Sequence, residues 1–193
     1  MGASLVLASA SPRRAELLAQ LGLEFSVRSA SIDESVGDGE APLSYVRRMA
    51  HEKSYATDLL EGELLLSADT TVIIEGAVLG KPADLDNAKS ILKRLSGKHH
   101  EVVTAVCARN EAESKLISVR TEVEFTNLSP ALIADYLKTR EPWDKAGAYA
   151  LQGIAGSFVR RINGSVTNVI GLPLVETREL LDEFGIDVTV ACA

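Results

Sequence analysis

The N-terminal part of the chain pairs a short apolar run with a helical repeat. Residues 5–8 are apolar, and leucines recur at helical spacing over residues 17–21. Ser11 suits an N-cap, Pro12 suits the first helical position, and Gly22 suits the C′ position. The pattern therefore predicts a strand, a tight turn and a helix.

Apolar spacing and capping residues predict further elements along the chain. Four helices are expected, at residues 42–55, 84–95, 130–137 (Leu132, Ile133, Tyr136 and Leu137 on one face) and 173–184. Strand material is expected at residues 64–66, 72–74, 102–108 and 119–125, with Asp69 at the end of an apolar strand. The Asn163-Gly164 pair between residues 158–162 and 166–170 predicts a β-hairpin. Together these elements predict a mixed α/β fold, in which a partly antiparallel sheet is flanked by helices and a cleft lies between two lobes.

Composition adds limits to this picture. A chain of 193 residues is expected to form a single domain, 1–193, large enough to bury a core without a disulfide or metal. Its 20 Lys+Arg against 27 Asp+Glu give a net charge of −7, which argues against a polynucleotide partner but permits a local cationic pocket for a small polyanion.

Targeting signals and cysteines point to the cytoplasm. The N-terminus (Met1, Gly2 and the residues after them) lacks a signal-peptide or myristoylation pattern, and no run reaches the roughly 20 apolar residues of a membrane span. Cys107 and Cys192 are isolated in sequence, so both are predicted to be reduced thiols.

The turn Ser9-Ala10-Ser11-Pro12-Arg13-Arg14 is the first candidate site. A helix N-terminus attracts anions, and two arginines in its first turn oppose the helix dipole unless an anion binds there. Guanidinium groups bind phosphate oxygens bidentately. The alternative is a pair of solvated arginines on a surface helix.

Two further charged residues lie beside apolar elements. Lys53 continues the apolar stripe of residues 43, 46, 49 and 50, and it either extends to water or directs a cation into a cleft. Asp69 follows an apolar strand, and it either closes an Asx turn or serves as a carboxylate for a metal or a water.

Two glycine-containing segments complete the candidates. The segment from Gly76 to Pro82 fails as a P-loop in spacing, but Lys81 remains a point charge for a phosphate. The segment from Asp144 to Gly153 carries Gln152, whose amide both donates and accepts and so suits a base edge.

Taken together, these segments resemble the Maf (septum-formation inhibitor) family of nucleotide pyrophosphatases over nearly the whole chain. Five motifs follow the family's order and spacing: Leu7-Ala8-Ser9-Ala10-Ser11-Pro12-Arg13-Arg14, Ser67-Ala68-Asp69-Thr70, Gly80-Lys81-Pro82, Leu95-Ser96-Gly97 with His100, and Asp144-Lys145-Ala146-Gly147. The stretch Ala150-Leu151-Gln152-Gly153 resembles the branch that acts on dTTP and UTP.

The resemblance implies an activity and a set of roles. The expected enzyme is a hydrolase of nucleotide metabolism that converts dTTP, UTP or modified pyrimidine nucleotides to the monophosphate and pyrophosphate, with Mg²⁺ or Mn²⁺. It implies that Asp69 is the proton acceptor, that Glu34 and Asp69 hold the metal, and that Ser9, Arg13, Arg14, Lys53, Thr70, Lys81 and Gln152 bind substrate. Whether Asp69 acts as base or as metal ligand stays open at this point.

The alternatives are a 7-methyl-GTP or inosine/xanthosine triphosphate pyrophosphatase, or a non-enzymatic nucleotide-binding regulator of cell division. The predicted partner is a nucleoside triphosphate, with no polynucleotide and no membrane, and a homodimer is left open.

Overall fold

The computed structural model describes residues 3–188 of the chain. Cys192, predicted to be a reduced thiol, lies outside the described residues, as do Met1 and Gly2, on which the prediction about leader sequences partly rests. Cys107 is buried and forms no disulfide with any described residue. No helix within residues 3–188 is long and apolar enough to cross a membrane.

Helices and strands alternate along the chain. The helices are α1 (Pro12–Ala19), α2 (Pro42–Ala56), α3 (Leu85–Leu95), α4 (Pro130–Tyr136), α5 (Val166–Ile170) and α6 (Leu174–Glu183). The strands are β1 (Ser4–Leu7), β2 (Ser26–Val27), β3 (Glu63–Ile74), β4 (Ala77–Leu79), β5 (His99–Arg109), β6 (Ser114–Phe125) and β7 (Val159–Asn163). They form one sheet in the order β2-β1-β3-β5-β6-β7, with β4 paired to β3. The predicted mixed, partly antiparallel α/β fold is therefore confirmed.

The described chain divides into two compact units. Among the described residues, unit 1 comprises 3–69, Thr104–Val119 and 171–188, and unit 2 comprises Thr70–Val103 and Arg120–Ile170. The long strands β3, β5 and β6 each contribute residues to both units.

Unit 1 is built on parallel strands. Val6 of β1 pairs with Ser26 of β2 and with Leu65 of β3, both in parallel register. Helix α2 starts at Pro42, whose fixed φ suits the first helical turn, and it buries Val46, Met49 and Ala50. Lys53 continues the same face of the helix and lies in the last turn of α2.

Unit 2 contains antiparallel pairs and an aromatic core. Strands β3 and β4 pair as a hairpin whose turn residues Glu75 and Gly76 both have positive φ (53° and 76°), as a type I′ turn requires. Phe125 makes edge-to-face contacts with Tyr149 and Phe158, with ring centroids 4.9 Å and 6.2 Å apart. These rings anchor strand β6 to the segments on either side of residue 152.

Most predicted elements are present, but the hairpin at Asn163-Gly164 is wrong. Strand β7 ends at Asn163, and residues 166–170 form helix α5 instead of a returning strand. Ser165 Oγ accepts from the Asn168 backbone N–H (3.1 Å), which caps the first turn of this helix. The buried Asn168 amide also donates to the Val102 carbonyl at 3.0 Å, a contact that fixes the helical turn.

Smaller details also differ from the sequence-based expectations. Leu132 is 41% exposed although its spacing predicts the buried face of α4, and Leu43 is 41% exposed although its spacing predicts the buried stripe of α2. Helix α1 has Ser11 at its N-cap, but Gly22 lies two positions after the C-cap residue Gln20, one later than predicted.

Candidate active site

The turn between β1 and α1 holds an arginine inside unit 1. Ser9 is buried, and its Oγ accepts hydrogen bonds from Arg14 Nη1 (3.1 Å) and from the Ser11 backbone N–H (3.3 Å). Arg14 Nε donates to the Gly171 carbonyl at 2.9 Å. These contacts fix the guanidinium of a half-buried Arg14 against the fold, so Arg14 is not a solvated surface arginine.

Electrostatic interactions link this arginine to other candidate residues. Loss of solvent lowers the pKa of Arg14, the Asp69 carboxylate raises it, Arg13 lowers it and Glu34 raises it. Arg13 is itself half-buried in the same helical turn. Four predicted site residues therefore share one electrostatic environment within unit 1.

Lys53 bridges two carboxylates. Its Nζ lies 2.7 Å from Asp69 Oδ1 and 2.7 Å from Glu34 Oε1. The side chains of Lys53 and Asp69 are 15% and 13% exposed, whereas that of Glu34 is 42% exposed. This lysine therefore directs its charge to two acids, one sheltered and one open to solvent.

The packing of α2 on β3 explains why these side chains meet. Alternate residues of a strand share a face, so Ser67 and Asp69 point the same way. Ser67 Oγ donates to the Ala50 carbonyl at 2.6 Å, which sets the register of helix against strand. One helical turn after Ala50, Lys53 reaches Asp69, one alternate position after Ser67.

Asp69 differs from its predicted local setting. The sequence predicts it at the end of an apolar strand, but it lies inside the continuous strand β3 (Glu63–Ile74) and not in an Asx turn. Within the strand, the Asp69 carboxylate is compensated by Lys53 Nζ at 2.7 Å.

Tyr45 is a residue of this cluster that the sequence analysis did not identify. Its hydroxyl donates to the Glu34 backbone carbonyl at 3.0 Å. Burial, together with the charges of Asp69 and Glu34, raises the pKa of Tyr45 to about 12, so the phenol stays a donor. Its position two turns before Lys53 on α2 was the available signal, because residues eight apart share a helix face.

The carboxylates of this cluster bear on the predicted metal. Within residues 3–188, no group of three or more His, Cys, Asp or Glu side chains is arranged to hold a metal ion. Glu34 and Asp69 offer two carboxylates, which suits a cation such as Mg²⁺ that takes its other ligands from water and phosphate oxygens. Two carboxylates alone fit a largely hydrated cation, and the metal stays a prediction.

The remaining predicted site residues belong to unit 2. Thr70 is half-buried in β3, Lys81 is exposed just after β4, and Gln152 is exposed in a turn between two short 3-10 helices. The Gly80 carbonyl accepts from the Gly147 N–H at 3.1 Å, which brings the turn before Lys81 beside the segment that leads to Gln152.

A carboxylate braces the backbone next to Gln152. Glu141 accepts hydrogen bonds from the backbone N–H groups of Ile154 (2.7 Å) and Ala155 (3.0 Å) and from the Tyr136 hydroxyl (3.0 Å). A Cβ on Gly153 would lie 2.2 Å from Glu141 Oε2. Glycine at this position lets the carboxylate lie against the backbone and shape the turn.

His100 has a buried, neutral setting. It is 3% exposed, its Nε2 lies 2.9 Å from the Tyr149 hydroxyl, and its Nδ1 has no hydrogen-bond partner among the described residues. Burial, and to a lesser degree the charge of His99, lowers the pKa of His100 to about 4. This histidine therefore supports the segment around Tyr149 as an uncharged core residue.

The chain thus has a mixed α/β fold, and unit 1 places arginine, lysine and carboxylate side chains together, the kinds of side chain that suit a site for a small anion. The family model described as Maf-like protein matches residues 4–184, and the chain belongs to this family.

Curated relatives match nearly the full chain. A protein from Anaeromyxobacter dehalogenans, named dTTP/UTP pyrophosphatase, is 53% identical over 96% of this chain and 96% of its own length. A protein of the same name from Hahella chejuensis is 50% identical over 95% of this chain and 94% of its own length.

Solved structures share the fold at low sequence identity. A HAM1 protein from Coxiella burnetii is similar with a TM-score of 0.53 and 14% identity, over 94% of this chain and 99% of that one. The Staphylococcus aureus Ham1 protein is similar with a TM-score of 0.50 and 11% identity, over 95% of this chain and 100% of that one. At these identities the likeness establishes the fold alone.

Proposed function

We propose that this protein hydrolyses dTTP and UTP, and related pyrimidine nucleotides, to the nucleoside monophosphate and pyrophosphate. Support comes from relatives with that name that share about half of their residues with nearly the whole chain. The observation that carries the proposal is the Lys53 ammonium held 2.7 Å from both Glu34 and Asp69, in the same unit as Arg14.

In the proposed reaction, water attacks the α-phosphorus. A bond forms between the water oxygen and that phosphorus, the bond to the α,β-bridging oxygen breaks, and pyrophosphate leaves with the electron pair. Asp69 accepts the proton of the attacking water, because its sheltered carboxylate is the better placed of the two to act away from bulk solvent.

Cationic side chains stabilise the charge that develops on the phosphate oxygens. Arg14 is already fixed by Ser9 and Gly171, so its guanidinium needs little rearrangement to bind phosphate. Arg13, in the same helical turn, provides a second guanidinium for phosphate oxygens, and Lys53 provides a further positive charge. Preorganised cations of this kind are what phosphoryl-transfer chemistry needs most.

A divalent cation belongs to the same proposal. Glu34 and Asp69 would hold it, Asp69 through one carboxylate oxygen while its other oxygen accepts the proton of the water, and the more exposed Glu34 suits an ion that keeps part of its water shell. When bound, Mg²⁺ or Mn²⁺ supplies neutralisation of phosphate charge. The side chains of the protein then orient the substrate and accept the proton.

Gln152 is the residue we assign to base selection, with Arg13, Thr70 and Lys81 as further substrate contacts. Its amide can pair with the O4/N3–H edge that thymine and uracil share. We expect Gln152→Ala to lower kcat/KM for UTP and dTTP more than for ITP, measured as pyrophosphate release. Equal losses on all three nucleotides would argue against base reading by Gln152.

The function is tested by a substrate panel. Pyrophosphate release is measured from dTTP, UTP, CTP, 7-methyl-GTP and ITP, each with Mg²⁺, with Mn²⁺ and with EDTA. We expect dTTP and UTP to be preferred and EDTA to abolish turnover. Preference for 7-methyl-GTP or ITP would identify the protein as one of the alternative pyrophosphatases. Absence of pyrophosphate release from every nucleotide would overturn the enzyme assignment.

A further inference from the structure

The segment between β2 and α2 carries Glu34, and contacts from α2 hold it in place. Tyr45 donates through its hydroxyl to the Glu34 carbonyl at 3.0 Å. Arg48, one turn further along the same helix, donates through Nη2 to the Ser35 carbonyl at 3.0 Å. Two consecutive backbone carbonyls are thus tied to one helix.

Arg48 also closes the far end of this segment. Its Nε and Nη2 donate to the two carboxylate oxygens of Glu40 at 2.7 Å and 2.6 Å, and Glu40 Oε2 also accepts from the Gly37 N–H at 3.0 Å. The guanidinium lies 5.7 Å from the centroid of the Tyr45 ring. Residues 35–40 therefore form a loop whose two ends are held by a single guanidinium.

The side chain of Glu34 depends on such anchoring. It is 42% exposed, so packing contributes little to its position, yet its Oε1 lies 2.7 Å from Lys53 Nζ. Tyr45, Arg48 and Lys53 all project from α2, so one rigid helix sets both the loop and the cation that the Glu34 carboxylate meets.

We propose that Tyr45 and Arg48 are positioning residues, which hold the Glu34 carboxylate beside Lys53 and Asp69 and so set the turnover of the site. The inference rests on the proposed pyrophosphatase function. Neither residue touches the reacting atoms, because both act through the backbone of Glu34 and Ser35.

The main test is Tyr45→Phe, which removes one hydroxyl and keeps the ring under Arg48. Loss of a hydrogen bond of this kind is worth about a factor of ten, so kcat/KM for UTP should fall about tenfold. The matched control is Tyr55→Phe on the same helix, whose hydroxyl donates to Ser114 Oγ at 3.3 Å on an exposed face. We expect this control to stay within twofold of the wild type.

A double-mutant cycle separates positioning from general structural support. If Tyr45 acts through Glu34, Tyr45→Phe should change kcat/KM by less than twofold in a Glu34→Gln background. A tenfold loss in both backgrounds would overturn the proposal, as would equal effects of Tyr45→Phe and Tyr55→Phe.

Amide hydrogen exchange gives a readout that needs no nucleotide. Tyr45→Phe and Arg48→Lys should each speed exchange in the peptide covering residues 33–40 by at least fivefold, whereas Arg47→Lys, which alters a hydrogen bond to Ser118 Oγ away from this loop, should not. Unchanged exchange in both variants would overturn the positioning role even if the enzyme is active. Absence of pyrophosphate release by the wild type would overturn the proposed function, while the exchange data would still decide whether this loop is held by α2.

Discussion

The side chain of Lys53 holds a charged cluster together. Its Nζ lies 2.7 Å from carboxylate oxygens of Glu34 and Asp69, and its own side chain is only 15% exposed. Without this ammonium, two carboxylates would be left close together with their shared cation gone. The lysine therefore permits the acids to converge, and in the proposed function it also provides a positive charge for a phosphate.

We predict that Lys53→Met lowers kcat/KM for UTP about 100-fold, because a preorganised cation is removed from the site where negative charge develops. The measurement is steady-state pyrophosphate release. Lys115→Met is the matched control, since Lys115 pairs with Glu183 on an exposed surface, and it should stay within twofold of the wild type. A Lys53→Met enzyme within fivefold of the wild type would contradict a role in charge stabilisation.

The lowered pKa of buried His100 leads us to predict that stability depends on pH. Its folded-state pKa of about 4 lies below the unfolded value near 6.5, so the unfolded state binds more protons between these values. The free energy of unfolding should therefore fall as pH drops from 6.5 to 4, by about 3 kcal/mol from this residue.

Urea unfolding of the wild type and of a His100→Gln variant measures this contribution. The variant should lose part of its stability at pH 7 but show a shallower decline between pH 6.5 and pH 4. His51→Gln, at an exposed histidine of α2, should keep the wild-type slope. Parallel slopes for His100→Gln and the wild type would contradict the assignment.

At the scale of elements, the sequence pattern predicts the long helices well but predicts a strand where helix α5 follows Asn163-Gly164. Helices α2, α3 and α6 match their predicted spans closely, because Pro42, Asp84 and Pro173 mark their starts by local chemistry. Helix α5 differs from the predicted strand because, besides the local cap from Ser165, buried contacts of the Asn168 side chain with residues distant in sequence hold the helical turn. Such tertiary contacts override a local turn signal of this kind.

For the candidate site too, the sequence locates residues next to regular elements better than residues in loops. Lys53 and Asp69 were predicted because each stands beside an apolar element that fixes its direction. Glu34 lies in a segment without helix or strand, so no periodicity locates its carboxylate, and it entered through resemblance alone. Tyr45 was missed because a tyrosine beside an apolar stripe is typical of ordinary core packing.

The turn before the second 3-10 helix of unit 2 yields an element-scale prediction. Glu141→Ala should lower the free energy of unfolding by about 2 kcal/mol, because the Ile154 and Ala155 N–H groups lose their acceptor. Urea unfolding measures the change, with the exposed Glu179→Ala as control, expected within about 0.5 kcal/mol of the wild type. Equal stability of both variants would mean that the carboxylate does not brace this turn.

For the whole molecule, net charge and local charge have opposite signs. The chain carries −7 overall, yet unit 1 gathers Arg13, Arg14 and Lys53 around two carboxylates. An acidic exterior repels long polyanions, whereas a compact cationic cluster can still bind a short one. This balance favours a mononucleotide over a polynucleotide as the substrate, and a cytoplasmic location remains a prediction from the sequence.

The central claim is that water attacks the α-phosphorus of a pyrimidine nucleoside triphosphate, and isotope labelling tests it most directly. UTP is hydrolysed by the protein in H₂¹⁸O with Mg²⁺, and the products are analysed by mass spectrometry. We predict one ¹⁸O atom in UMP and none in pyrophosphate. Label in the pyrophosphate, or release of orthophosphate with UDP, would contradict attack at the α-phosphorus.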